Sequence, residues 1–282
     1  MTSWTRAADT AAEELAAAPP AAWAQAPAED AAAAAAVLEG ATAEEVVAWA
    51  LDRFAGRLAL VTSLQAGGVV LIDLACRLGG DVRVLTLDTG RLPAETYDQV
   101  ERVRDHFGIA VEMISPRAAD VERLVAEAGP NLFYRSPEDR RECCRVRKVE
   151  PLRRALGPFA AWLSGLRRGQ SAERAAIPKV QADGLVDAGL DTGLDIGLDG
   201  AAPPPRLKVN PLADWSEAQV WEHVHGRRLP YHPLYDRGYQ SIGCAPCTRP
   251  ARPLEHPRQG RWWWEESSRR LCGLHVLQGG GR

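Results

Sequence analysis

The sequence predicts an α/β protein with a doubly wound, mainly parallel sheet. Short apolar runs suited to buried parallel strands alternate along the chain with longer segments suited to helices. The first strand follows a capped helix, because Thr42 and Glu45 have the spacing of a capping box. Polar or glycine-rich residues directly follow three of the strands, at the sheet edge where such folds bind ligands. These observations predict one domain with a ligand site at the carboxyl edge of its sheet.

The predicted elements continue in order from that capped helix, which extends to about Phe54. Each strand is a short run dominated by apolar residues, as expected of strands buried on both faces. The helix over Glu142–Leu156 is expected to break or bend at Pro151, which has no backbone N–H to donate. The four strands are predicted at Leu58–Ser63, Val82–Leu87, Ile109–Ile114 and Phe159–Ser164. The other helices are predicted at Val69–Leu78, Ala94–Phe107 and Val121–Ala128.

Composition divides the chain into a central domain and three biased segments. Residues 1–40 are Ala-rich and of low complexity, so we expect a flexible or loosely helical extension. The folded domain is expected over 41–262, followed by a C-terminal tail at 263–282 whose cysteine makes it a candidate catalytic segment. Within the domain, residues 181–205 repeat Gly-Leu-Asp and carry aspartates without bases as far as residue 201. They are interpreted as an acidic surface insertion rather than a metal site.

Charge is distributed unevenly, although the formal net charge of the 282 residues is only −3. Residues 135–179 hold twelve bases and five acids, and residues 240–282 hold seven arginines and three acids. Such stretches suit an anionic substrate, although a solvated basic face is the simpler alternative. No run of 18 apolar residues occurs, so we expect no membrane partner. The N-terminus has no basic leader and does not resemble a secretory signal. No nucleic-acid partner is expected either. Unpaired cysteines favour a reducing cytoplasm, and a homo-oligomer stays open.

Four of the six cysteines form two close pairs, Cys143-Cys144 and Cys244-x-x-Cys247. Zinc sites usually separate the two members of a pair by two to four residues. Adjacent side chains diverge, so Cys143 and Cys144 reach a larger object more easily than a single ion. An iron–sulfur cluster is therefore favoured, while zinc, a redox dithiol and structural thiols stay open. Cys76 lies in an apolar run and is expected in the core.

A fifth cysteine, Cys272, also carries a functional prediction. It lies ten residues from the end of the chain. Arg269, Arg270 and His275 are close in sequence and would favour its thiolate form. Cys272 is therefore a candidate nucleophile, with an idle surface thiol as the alternative. His275 could equally anchor the tail through a hydrogen bond.

The turn after the first predicted strand, residues 63–68, excludes several nucleotide-binding classes. It matches neither a P-loop nor a dinucleotide fingerprint. It also lacks the Ser-Gly-Gly-x-Asp-Ser loop of ATP-using enzymes with a related fold. Backbone amides at such a strand-to-helix turn still form a natural anion site.

Separated motifs occur along the chain in a defined order: 62–66, 87–90 with 95–97, 143–144 with 147–152, 165–171, 210–215, 243–249, 260–265 and 272–275. In this order they resemble the assimilatory adenylyl-sulfate reductases, the iron–sulfur branch of the adenylyl-/phosphoadenylyl-sulfate reductase family. The resemblance covers about residues 42–276. It implies an adenine nucleotide alpha-hydrolase-like fold and the reduction of adenylyl sulfate to sulfite and AMP.

The resemblance also implies roles for individual residues. A [4Fe–4S] cluster would be held by Cys143, Cys144, Cys244 and Cys247. Anion-binding arginines would be Arg174, Arg258 and Arg261, with Lys148 between the cluster and the anion. Leu87 and Gly165 would offer backbone groups to adenine, and Ser63 would lie at the phosphate turn.

The expected reaction passes through a Cys272 S-sulfonate that thioredoxin, or a glutaredoxin-like donor, reduces in sulfate assimilation and cysteine biosynthesis. Two alternatives remain at this stage: a reductase of the 3′-phosphorylated nucleotide, and a non-enzymatic iron–sulfur sensor. The Trp-rich run at 262–264 is expected to serve packing more than base stacking.

Overall fold

The computed structural model describes residues 30–183, 206–253 and 255–265. Residues 184–205 of the predicted acidic insertion (181–205), and the tail residues Cys272 and His275, lie outside them, whereas residues 181 and 182 belong to a strand. Helices in this part are α1 (Ala31–Leu38), α2 (Ala43–Arg53), α3 (Ala66–Arg77), α4 (Ala94–Phe107), α5 (Ala118–Ala128), α6 (Pro137–Cys144), α7 (Glu150–Ala155) and α8 (Glu217–Gly226). Strands are β1 (Leu58–Val61), β2 (Arg83–Leu87), β3 (Val111–Ile114), β4 (Ala161–Ser164), β5 (Val180–Ala182) and β6 (Leu207–Val209).

The six strands form one sheet in the order β3-β2-β1-β4-β6-β5. All neighbouring pairs are parallel except β5 and β6, which are antiparallel. The predicted fold class, a doubly wound and mainly parallel sheet, is confirmed. The chain order reverses beside β1, so that β2 and β4 flank it, and the carboxyl ends of these three strands face the crevice where such folds bind ligands.

The helices follow the sequence signals closely at their capped ends. Thr42 and Glu45 form the predicted capping box at the start of α2, with Thr42 N–H donating to Glu45 Oε2 at 2.7 Å. The helix α1 precedes it and buries Ala34 and Leu38 completely in the main core. Part of the Ala-rich segment therefore belongs to the folded unit. No helix among the described residues is long and apolar enough to cross a bilayer.

The predicted helix around the first cysteine pair differs from the observed one in two respects. It begins earlier, at Pro137, where Ser136 caps it by accepting from Asp139 N–H at 3.1 Å. Its irregularity precedes Pro151 instead of lying at it, because Arg145–Val149 forms a π-helical turn. Pro151 cannot donate to the carbonyl four residues earlier, and the widened turn before it accommodates that loss. The π turn carries Lys148 directly after the cysteine pair.

A buried histidine, His232, makes the stability of the fold pH-dependent. Leu234 N–H donates to its Nδ1 at 3.3 Å, and Nε2 lies 3.0 Å from Thr96 Oγ1, so the neutral ring donates there. Burial lowers the pKa of His232 to about 4. As the pH falls, His232 takes up a proton in the unfolded chain before it does so in the folded protein. The contribution of the neutral ring to the stability of the fold is therefore fully present above pH 6.5 and is lost as the pH falls toward 4.

Between pH 7 and pH 5 we expect this group to cost on the order of 2 kcal/mol of unfolding free energy. Urea unfolding at both pH values should show a smaller pH effect in His232→Gln than in the wild type. His106→Gln, which changes an exposed histidine, is the control and should keep the full effect. An unchanged pH dependence in His232→Gln would contradict the assignment.

Candidate active site

A cavity of about 270 Å³ lies at the carboxyl ends of β1, β2 and β4. The cavity therefore lies where the sheet topology predicts a ligand site. The structure brings seven of the sequence-predicted residues together in its lining: Ser63, Leu87, Lys148, Gly165, Arg174, Arg258 and Arg261. Cys244 also lines it. These residues come from segments almost 200 positions apart, so the fold assembles the site rather than any single motif.

The turn between β1 and α3 forms one wall of the cavity. Leu64 has a left-handed backbone with φ 54°, and Thr62 Oγ1 accepts its N–H at 2.8 Å. A β-carbon at Gly68 would overlap Thr62 Oγ1, and one at Gly165 would lie 3.1 Å from the carbonyl carbon of Gly67. The glycines therefore allow the β1 and β4 turns to approach closely. The amino terminus of α3 faces the cavity, where its backbone dipole favours an anion.

Gln65 joins this turn to the loop that carries the second cysteine pair. Its Nε2 donates to Ser63 Oγ at 2.7 Å and to the carbonyl of Ile242 at 3.1 Å. Ile242 N–H in turn donates to Gln65 Oε1 at 2.9 Å. The amide thus holds the strand-to-helix turn and the cysteine loop in one arrangement. Sequence reasoning missed this role because the two partners are 177 residues apart.

The cavity is strongly cationic. Five basic side chains line it: Lys148, Arg167, Arg174, Arg258 and Arg261. The Nε atoms of Arg167 and Arg261 are buried and make no hydrogen bond within the described residues. Burial lowers the pKa of Arg167, the expected response of a cation removed from water. An anion in the cavity would satisfy both groups. Arg167 was present in a predicted motif, but no sequence signal separated it from its neighbour Arg168.

The four predicted ligand cysteines meet at a second, smaller cavity adjacent to the first. Cys143, Cys144, Cys244 and Cys247 all line it, and each is at least nine-tenths buried. Its other lining residues include Arg91, Arg140, Arg147, Lys148 and Trp262. Lys148 and Cys244 line both cavities, so they connect the cysteine centre to the anion site.

The electrostatics of this centre favour thiolate ligation at one position in particular. Burial opposes ionisation of Cys244, but Lys148 and a hydrogen bond with Thr89 Oγ1 at 3.2 Å outweigh it and lower the pKa of the thiol. Burial and the neighbouring Cys244 raise the pKa of Cys247 to about 12 in the absence of any metal. Thr89 is held in turn by Arg147, whose Nη1 donates to the Thr89 carbonyl at 2.7 Å.

The residues present fit an iron–sulfur cluster by the chemistry of their donors. Among the described residues, four thiols and no carboxylate or imidazole line the cavity, as expected for cluster ligation. Arg91, Arg147 and Lys148 supply positive charge that would balance bound thiolates. No three Cys, His, Asp or Glu side chains of the described ranges are arranged to hold a single metal ion. The cluster assignment of the cysteines stays a prediction.

The Trp-rich run contributes mainly protein contacts. Trp262 is buried, and Arg140 lies over its ring at 4.3 Å. Trp264 packs edge-on against Tyr134, with 4.5 Å between ring centroids. Trp262 also reaches the lining of both cavities.

Comparisons with known proteins agree with this geometry. Residues 57–250 match the family model described as phosphoadenosine phosphosulfate reductase domain. A relative from Pseudomonas aeruginosa (strain LESB58), named adenosine 5′-phosphosulfate reductase, is 41% identical over 83% of this chain and 82% of its own length. A relative of the same name from Sinorhizobium fredii (strain NBRC 101917 / NGR234) is 44% identical over 79% of this chain and 86% of its own.

Solved structures give the same fold. A phosphoadenylyl-sulfate reductase from Candida auris, in a phosphate complex, matches with a TM-score of 0.59 and 26% identity over 76% of this chain and 94% of that one. An FMN adenylyltransferase from Candida glabrata matches with a TM-score of 0.52 at 14% identity, over 90% of this chain and 77% of that one. The second similarity concerns the fold alone.

Proposed function

The chain belongs to the phosphoadenosine phosphosulfate reductase domain family, and we propose that it reduces adenylyl sulfate to sulfite and AMP in sulfate assimilation. The observation that carries the proposal is the adjacency of a cationic nucleotide-sized cavity and a four-cysteine centre that share Lys148 and Cys244. Relatives with at least 41% identity carry the name of this activity. The predicted enzyme class, an oxidoreductase acting on a sulfur group, is thereby confirmed.

The cavity offers each part of such a substrate a matching environment. The α3 terminus and the Ser63 turn suit the phosphate, and the buried guanidinium of Arg261 suits the sulfate. Leu87 and Gly165 place strand-end backbone groups where a base would lie. Lys148 would add a positive charge at the bridge between phosphate and sulfate, where negative charge develops as AMP leaves.

Cys272 is proposed as the nucleophile of the first half-reaction. Its thiolate attacks the sulfate sulfur, an S–S bond forms, and the bond from sulfur to the bridging oxygen breaks, so that AMP leaves with the electron pair. The enzyme then holds Cys272 as an S-sulfonate. His275, three residues on, would hold the tail or favour the thiolate.

A dithiol protein such as thioredoxin completes the cycle in this proposal. One of its thiolates attacks the Cys272 sulfur, and sulfite leaves with the electron pair. Its second thiol resolves the mixed disulfide, which restores the Cys272 thiolate and leaves the donor oxidised. The donor thus supplies the two electrons that the reduction of the sulfonate sulfur to sulfite requires.

Cys143, Cys144, Cys244 and Cys247 would hold the [4Fe–4S] cluster. When bound, it would supply a compact, thiolate-ligated charge beside Lys148. Lys148 would then be positioned from one side by the cysteine centre and from the other by the anion.

A reductase of the 3′-phosphorylated nucleotide is the second candidate, favoured by the similarity to the Candida auris enzyme. Sulfite release from adenylyl sulfate and from its 3′-phosphorylated form, each with thioredoxin and a thioredoxin-reducing system, separates the two. We expect the higher kcat/KM with adenylyl sulfate. A preference for the 3′-phosphorylated nucleotide would support the second candidate, and no sulfite from either would contradict both.

A glycine substitution tests the placement of Arg261 in the substrate site. A β-carbon at Gly243 would overlap the Arg261 guanidinium, so Gly243→Ala should displace that group. The loss of a charge-assisted hydrogen bond should raise KM by about tenfold or more, measured by steady-state sulfite release. Gly169 also lines the cavity but has open space beyond its α-carbon. Gly169→Ala is therefore the matched control, and an equal KM for both variants would contradict this placement.

A further inference from the structure

A buried ion pair connects the cysteine-bearing helix to the last described segment of the chain. Arg140 Nε donates to Glu265 Oε1 at 2.6 Å, and their side chains are 0% and 4% exposed. Arg140 lies on α6, one helical turn before Cys143 and Cys144. The other ion pairs found in the described ranges each have at least one partner more exposed than these two.

The same segment is tied to the second cysteine pair through its backbone. Trp262 N–H donates to the carbonyl of Cys247 at 3.1 Å, and Glu265 N–H donates to the carbonyl of Trp262 at 2.9 Å. The Trp262 ring contacts two guanidiniums, with Arg140 at 4.3 Å and Arg261 at 4.9 Å from its centroid. The residues leading into the tail are therefore fixed to both halves of the cysteine centre and to the cavity.

The buried charges of Arg140 and Glu265 allow the pair to anchor the segment around Glu265 to α6. Two charges removed from water are held only by each other and by well-aligned neighbours, so the loss of one partner leaves a buried charge. Separation of the segment from α6 would impose that cost. Glu265 thus has one strongly favoured position, and Cys272 follows it by seven residues, a short tether.

We propose that the Arg140–Glu265 pair is a positioning device that anchors the root of the C-terminal tail to the cysteine-bearing helix. Among the described residues, neither Arg140 nor Glu265 lines the anion site. They act through Trp262 and through the position of Glu265, the last described residue before the tail cysteine in sequence. The catalytic consequence rests on the proposed function, whereas the anchor itself does not.

Limited trypsin digestion of the holoprotein, followed by mass spectrometry, tests the anchor directly. The sequence after Glu265 contains two trypsin sites, at Arg269 and Arg270. In Glu265→Gln, which removes the charge but keeps the shape, cleavage there should accelerate at least tenfold. Cleavage after Arg237, an exposed residue on the main domain, should keep its wild-type rate. Iron content should also stay at the wild-type value.

Two further variants sharpen the test. Glu101→Gln removes one carboxylate from an exposed pair with Arg104 and should leave tail cleavage unchanged. Glu265→Asp keeps the charge but withdraws it from Arg140 Nε, and should accelerate cleavage less than the glutamine variant. It also carries the test if Glu265→Gln yields no folded protein.

Activity provides the second readout. A displaced tail root should lower kcat for sulfite release by about tenfold or more, because small displacements of reacting groups are costly, while KM should stay within about threefold. Unchanged tail cleavage in Glu265→Gln, or equal acceleration at Arg237, would overturn the anchor. If the wild type releases no sulfite but the tail still responds, the proposed function fails and the anchor stands.

Discussion

The Cys272→Ser variant is expected to release no measurable sulfite from adenylyl sulfate, a loss of at least about 10³-fold. A serine hydroxyl is a weak nucleophile without an adjacent base, whereas the thiolate of Cys272 would be ready to attack. Because the cavity proposed to bind the nucleotide is lined by residues between 61 and 262, the variant should bind substrate with wild-type affinity. Steady-state assays and nucleotide binding by calorimetry separate the two effects.

Removal of the tail gives an independent form of the same experiment. A chain ending before Arg269 should be as inactive as the point variant. Cys76→Ser is the matched control, because burial raises the pKa of that thiol to about 12 and the half-buried side chain packs against the main core. Full activity in Cys272→Ser would contradict the proposed mechanism and would favour a redox role for the paired cysteines.

Loss of one cysteine from the second pair should be nearly as damaging. In Cys247→Ser we expect the iron and sulfide, about four of each per chain in the wild type, to be lost together with turnover. The four thiols share one cavity with Lys148, so a disrupted centre also withdraws support from the anion site. Metal analysis of anaerobically purified protein and sulfite release are the two measurements.

The control and the contrary outcome are both accessible in this chain. Cys76→Ser should retain the full iron content, since this thiol is remote from the paired cysteines in sequence and packs in a different cluster. Stoichiometric zinc without iron in the wild type would refute the cluster assignment. Wild-type iron content in Cys247→Ser would show that Cys247 is not a ligand.

Four of the six strands could be predicted because they are short runs dominated by apolar residues. β1, β2, β3 and β4 fall within the predicted ranges, and α4 has the predicted bounds. The strand β5, at one edge of the sheet, and its neighbour β6 were missed because each has only three residues. A lysine inside β6 also hides its character, since Lys208 is buried against the Trp162 ring at 4.9 Å.

One missed helix did carry a readable signal. Ser216 and Gln219 form a capping box at the start of α8, with Gln219 N–H donating to Ser216 Oγ at 3.2 Å. The spacing is the one that identified α2, but it directly follows the 210–215 motif, where no helix was predicted. By contrast, no local pattern could locate the π turn at Arg145–Val149, because it depends on how Pro151 is accommodated.

The same difference between local and tertiary signals applies to the residues of the candidate site. Residues in glycine-rich or cysteine-rich motifs could be predicted, since their local sequence is distinctive. Gln65, Thr89 and Arg167 could not, because their roles arise from partners or burial that only the tertiary structure creates. The ion pair of Arg140 with Glu265 spans 125 residues and is equally invisible in the sequence.

The central claim is that Cys272 accepts the sulfonate group of adenylyl sulfate. A single-turnover experiment without reductant tests it most directly, by quantifying released AMP and mapping the modified peptide by mass spectrometry. The account predicts one AMP per chain, one sulfonate on Cys272, and release of that group as sulfite when thioredoxin is added. A sulfonate on Cys143 or Cys144, or AMP released with no sulfur bound to the protein, would contradict it.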